Sequence, residues 1–136
     1  MATIVQWDES FSVYMNDLDN QHMKLFDIIN KFYDLMATNQ TNLAIAEVTA
    51  EMKKYALLHF THEESILKRK EYPRLKSHIA KHQEFVNKIN DIESRLAKGQ
   101  IVSSLEIAKF LKNWLIEHVK VEDKSFANYF KNNNLL

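Results

Sequence analysis

Six side chains able to do chemistry interrupt otherwise apolar stripes in this sequence: His22, His59, Glu63, His78, His82 and His118. Each stands where three- and four-residue periodicity asks for Leu, Ile or Phe. A buried imidazole needs a hydrogen-bond partner and a buried carboxylate a counter-charge; without them desolvation costs on the order of several kcal/mol, comparable with a small domain's whole stability. A lone histidine of this kind is usually a hydrogen-bonded core residue. Six such positions together call for a joint explanation. His59 and Glu63 are one helical turn apart, as are His78 and His82, so each pair projects from one helix face toward a common point. That arrangement suits a metal ion. Cysteine is absent, which excludes disulfides, thiolate sites and iron–sulfur clusters and leaves His, Asp, Glu and Tyr as ligands.

The elements that must carry these residues are helices. Gly99 and Pro73 are the only glycine and proline in 136 residues, too few for the turns of a β-rich fold. After an irregular arm over 1–17 that contains Trp7 and Phe11, a first stripe reads Leu18, His22, Leu25, Phe26, Ile29, Phe32 and Met36 and predicts a helix over about 18–38. Asn39 to Asn42 is a polar break. The second stripe, Val48, Met52, Tyr55, His59, Glu63, Ile66 and Leu67, predicts a helix over about 42–70. Pro73 suits the first turn of a third helix over about 74–97, and Gly99 the residue past its end. Its buried face is expected to include Leu75, His78, Ile79, His82, Phe85, Val86, Ile89, Ile92 and Leu96. Ser103 or Ser104 can cap a fourth helix over about 104–131, with Ile107, Phe110, Leu111, Trp114, Leu115 and His118 inward. Short connections favour antiparallel neighbours, so the expected architecture is all-α, an up-down-up-down four-helix bundle forming one domain over 1–136.

On these residues the chain resembles the hemerythrin family, whose fold includes four-helix bundles of this kind. The resemblance is carried by His22 in Leu18-Asp19-Asn20-Gln21-His22, by H-x-x-x-E from His59 to Glu63, by H-x-x-x-H from His78 to His82, and by H-x-x-x-x-D from His118 to Asp123. It extends from Trp7 almost to the C-terminus and takes in the Glu63-Glu64 pair, the Tyr72-Pro73 turn and Trp114-Leu115. It implies two iron ions with a bridging oxo or hydroxo group: one held by His78, His82 and His118, the other by His22 and His59, with Glu63 and Asp123 bridging and Leu115 lining the ligand pocket. The implied function is reversible binding of dioxygen for storage, transport or delivery, with no substrate turned over. Five neutral imidazoles and two carboxylates agree with that, because they leave more positive charge than the carboxylate-rich centres of ferritin-like bundles, and no Glu-x-x-His occurs here. The alternatives are a peroxidase- or oxidase-like enzyme on the same site, with Tyr33 or Tyr55 as conceivable proton donors, and an oxygen sensor acting through a separate partner.

Asp123 is the one ligand that spacing alone does not choose. On a regular helix at about 100° per residue, Glu122 falls near the direction of His118 while Asp123 points roughly 140° away. The family pattern selects Asp123 and therefore requires a bulge in the fourth helix. The remaining histidine, His62, is rotated off the His59 to Glu63 line and is expected to be a non-ligand. Met52, Phe85 and Phe126 read as core filler and Lys68-Arg69-Lys70 as a solvated helix end. Eighteen basic residues balance eighteen acidic ones, leaving no field to attract nucleic acid or an acidic membrane. No apolar run approaches the roughly 18 residues of a membrane span, and Met1 to Trp7 lacks a signal-type stretch, so a cytoplasmic location is expected. The sequence leaves protein partners open.

Overall fold

The computed structural model describes residues 5–38 and 42–136. Four helical rods form an up-down-up-down bundle: α1 (Asn16–Ala37), α2 (Asn42–Arg69), α3 (Leu75–Ala97), and a fourth rod built from α4 (Ser104–Glu117), a π-helical segment (His118–Asp123) and α5 (Lys124–Asn132). The expected polar break at Asn39 to Asn42 falls mainly outside the described residues, as does the side chain of Met36. No described helix is long and apolar enough to cross a membrane.

The helix ends show why the chain turns where it does. Ser103 caps α4 by accepting the Glu106 N–H, a weak bond at 3.4 Å. Gly99, at φ 74°, follows α3, where Gly99 N–H donates to Leu96 and Gln100 N–H to Arg95. This paired closure needs a left-handed residue, which glycine adopts without strain. The end of α2 closes in the same way, with Glu71 N–H on Lys68 and Tyr72 N–H on Leu67, but Glu71 occupies the left-handed position at φ 55°. Pro73 lies in the turn that follows, two residues before α3 begins, and not in the helix's first turn as expected.

Two stripes also sit differently from the expectation. The buried face of α2 runs through Ile45, Thr49, Met52, Ala56, His59, Phe60, Glu63, Ile66 and Leu67, with Val48 and Tyr55 at its margin. In α3, Ile79 is exposed. The N-terminal arm is tied down by Val5 and Asn30, which exchange two hydrogen bonds, and by Asp19, which accepts from the Val13 N–H and the Ser12 hydroxyl.

Buried apolar side chains form two clusters. The larger gathers Phe32, Ile29, Met52, Phe60, Ile89, Leu111 and Val119; the smaller gathers Leu18, Leu67, Tyr72, Phe126 and Phe130. Between them every rod carries a polar interruption. His22 lies between Leu18 and Leu25, Glu63 between Phe60 and Ile66, and His118 and Asp123 between Leu115 and Phe126. The candidate ligands therefore form one polar layer across the bundle, with dry packing on either side.

Candidate metal centre

All seven predicted donors are buried, with His22, Glu63 and Asp123 fully so. They converge in two groups: Glu63, His78, His82, His118 and Asp123, and His22, His59, Glu63 and Asp123. Within each group one donor atom from every residue lies within 4.8 Å of the others. The carboxylates belong to both groups because each turns one oxygen to either side. Glu63 Oε1 is 2.6 Å from His78 Nε2 and 3.1 Å from His82 Nε2, while its Oε2 is 3.1 Å from His59 Nε2 and 3.5 Å from His22 Nε2. Asp123 Oδ1 is 3.1 Å from His78 Nε2 and 3.0 Å from His118 Nε2, and its Oδ2 is 3.1 Å from His22 Nε2.

Asp123 reaches this layer through the π-helical segment. A hydrogen-bond ladder of i→i+5 type widens the turn, so residues five apart share a face. His118 and Asp123 are five apart and both point inward, whereas Glu122 faces a shallow surface cleft that it lines with Lys81, Glu84, Trp114, Glu117 and the edge of His118.

Closeness here is not the same as hydrogen bonding. Both nitrogens of His22, Oε2 of Glu63 and both oxygens of Asp123 are buried without a hydrogen-bond partner. More than roughly nine in ten buried polar groups in proteins are satisfied, so five such atoms in one layer signal a missing partner type. Lone pairs from imidazole and carboxylate aimed at common points fit cations, and this donor set fits divalent metal ions bound through nitrogen and oxygen.

The same lone pairs attract protons. Burial opposes charge on His22, but the Asp123 and Glu63 carboxylates beside it outweigh that and raise it to about 9. His78 rises to about 10 and His118 to about 9, again against burial, through the two carboxylates. For His59 burial prevails and lowers the imidazole below its ordinary value. Glu63 and Asp123 resist burial and stay well below the usual carboxylate range because of the imidazoles around them.

Outside the donor layer, Gln21 Oε1 accepts a hydrogen bond from His59 Nδ1 at 2.6 Å, and Glu64 Oε2 accepts one from His82 Nδ1 at 2.6 Å. Phe60 stacks on His82 with ring centroids 3.9 Å apart, and Trp114 on His118 at 4.5 Å. Sequence reading assigned no role to Gln21, Glu64 or Phe60. Their partners lie on other helices, and the one local signal is that Gln21 and Glu64 adjoin His22 and Glu63. Leu115 is buried in the larger apolar cluster one turn before His118. His62 sits at the surface, paired with Asp17 at 2.7 Å, away from the donor layer.

Comparison with known proteins points to one family. The sequence model of the Hemerythrin HHE cation binding domain matches residues 14–130. A bacteriohemerythrin of Stenotrophomonas maltophilia is 26% identical over 131 residues, covering 96% of this chain and 84% of that protein. A myohemerythrin of Theromyzon tessulatum is 31% identical over 118 residues, covering 87% of each. The crystal structure of a wild-type hemerythrin superposes with a TM-score of 0.85 at 25% identity, covering 92% of this chain and 96% of that one.

Proposed function

Because the chain belongs to the hemerythrin family, we propose that it binds dioxygen reversibly at a non-haem di-iron centre, for storage, transport or delivery of oxygen in a bacterial cell. The observation that carries the reading is the division of Glu63 and Asp123, each of which offers one oxygen to either of two histidine groups. His78, His82 and His118 would hold one ion, His22 and His59 the other, and the two carboxylates would bridge them. Iron supplies, when bound, the electrons and the open coordination position that dioxygen needs. The protein's part is to orient these imidazoles and to keep the layer dry. Phe60 packs against His59, His82 and His118 and Phe126 against His78, apolar rings that exclude water and stray protons that would turn reversible binding into oxidation. Leu115, one turn from His118, is the proposed pocket residue.

The test is a visible spectrum. Protein loaded with ferrous iron under argon should gain an absorption band on admission of oxygen and lose it when oxygen is removed, through repeated cycles. Immediate, irreversible oxidation on first contact would sink the proposal, and sustained consumption of peroxide with a reducing substrate would instead place the protein among enzymes.

A further inference from the structure

The two halves of the centre are held from outside by unlike groups. His82 gives its Nδ1 hydrogen to the carboxylate of Glu64, and His59 gives its own to the neutral amide of Gln21, both at 2.6 Å. Either bond fixes the tautomer, because a carboxylate and an amide oxygen only accept, and the Nε2 lone pair is then left facing inward. They differ in strength: a bond to an ionised acceptor is roughly twice as strong as one to a neutral acceptor, and a carboxylate behind an imidazole makes it the more basic ligand. The difference is reinforced within each half. His82 and His118 are stacked on Phe60 and Trp114, within 8° and 11° of parallel, whereas His22 has a buried Nδ1 with no hydrogen-bond partner.

Building on the metal reading above, we propose that Glu64 and Gln21 are positioning residues that widen the inequality already set by three imidazoles against two: the ion at His78, His82 and His118 enters first and leaves last, and the ion at His22 and His59 is the exchangeable one.

The experiment titrates the metal-free full chain with cobalt(II) under argon, followed by calorimetry and by visible absorption. Two resolved steps are expected. Glu64→Gln should weaken the tighter step about 10- to 100-fold and leave the weaker one in place, and Gln21→Glu should tighten the weaker step. The double variant should narrow the gap between the two constants, with the third imidazole of the tighter half keeping them apart. Glu64 is partly exposed and Gln is isosteric with it, and far-ultraviolet dichroism checks that the variants fold. A residue that merely supported the fold would weaken both steps alike, so equal weakening overturns the proposal, as does a tighter step that Glu64→Gln leaves unchanged. Wild-type protein that takes up no ion would overturn the metal reading itself, and this proposal with it.

Discussion

Metal loading should expel protons from the imidazoles that the two carboxylates hold protonated. Left to protons, His22, His78 and His118 sit at about 9, 10 and 9. At pH 7 a group of that affinity is almost wholly protonated, and a cation can take its Nε2 only by displacing the proton. Burial keeps His59 neutral, and Glu63 and Asp123 are already ionised. The expected release at pH 7 is therefore about three protons per chain, shrinking toward none as pH rises past about 10. The sign of the stability effect follows from the same linkage. A histidine raised above its unfolded value of 6.5 stabilises the metal-free fold fully below that value, and the contribution is lost as pH rises through about 9 to 10. Lowered carboxylates contribute above their ordinary range and lose that contribution as pH falls. Metal-free protein should thus be most stable in mildly acidic solution and weaken toward pH 10, while metal affinity rises over the same interval. Calorimetric titration with cobalt(II) in two buffers of different ionisation enthalpy counts the protons. A binding heat at pH 7 independent of the buffer would refute the assignment of paired imidazolium and carboxylate groups to this layer.

Two further outcomes separate neighbouring residues that look alike in sequence. Asp123→Ala should abolish binding of the second ion, and Glu122→Ala should leave metal content unchanged, as measured by elemental analysis after loading and desalting. Glu71→Gly should raise the melting free energy by about 1 kcal/mol, because the left-handed conformation at this helix end strains any residue with a Cβ; unchanged stability in a urea titration would show that the strain is relieved elsewhere.

Much of the fold was legible because Leu, Ile and Phe recur at helical spacing and because a single glycine and proline mark the turn regions. Where the reading slipped, the cause is physical. In α2, Leu57 and Leu58 are exposed while Thr49 is buried with its hydroxyl bonded to the Ile45 carbonyl, so hydrophobicity alone blurs which face is inward. Ile79 is exposed although it adjoins His78 in an apolar stripe. The donors were visible because a charged or polar residue on a core face is costly. The groups behind them were not, because Gln21 and His59 are 38 residues apart and Glu64 and His82 are 18 apart, and only the packing brings them together.

The fourth rod shows a signal that spacing did contain. From Leu111 and Leu115 a regular helix would continue inward through His118, Glu122 and Ser125 to Tyr129, yet the buried residues are Asp123, Phe126, Ala127 and Phe130. The whole apolar face downstream is displaced by one residue, and the π-helical turn is the extra residue that absorbs the displacement. Removing an exposed residue inside that turn should therefore restore an ordinary ladder without disturbing either face. Val121 is 56% exposed, and its deletion would leave Asp123, Phe126 and Phe130 on the inward side. The expected product folds with its helix content intact and a stability within about 1 kcal/mol of the parent, since no buried contact is lost. Deleting Ser125 in addition, with the extra residue already gone, would rotate Phe126 and Phe130 out of the smaller cluster and should cost several kcal/mol, on the scale of roughly 3–5 kcal/mol for losing one buried Phe. Denaturant titration of the two metal-free deletions decides the matter: if they lose stability equally, the turn is not a simple one-residue insertion, and Asp123 owes its inward position to something other than the register of the helix.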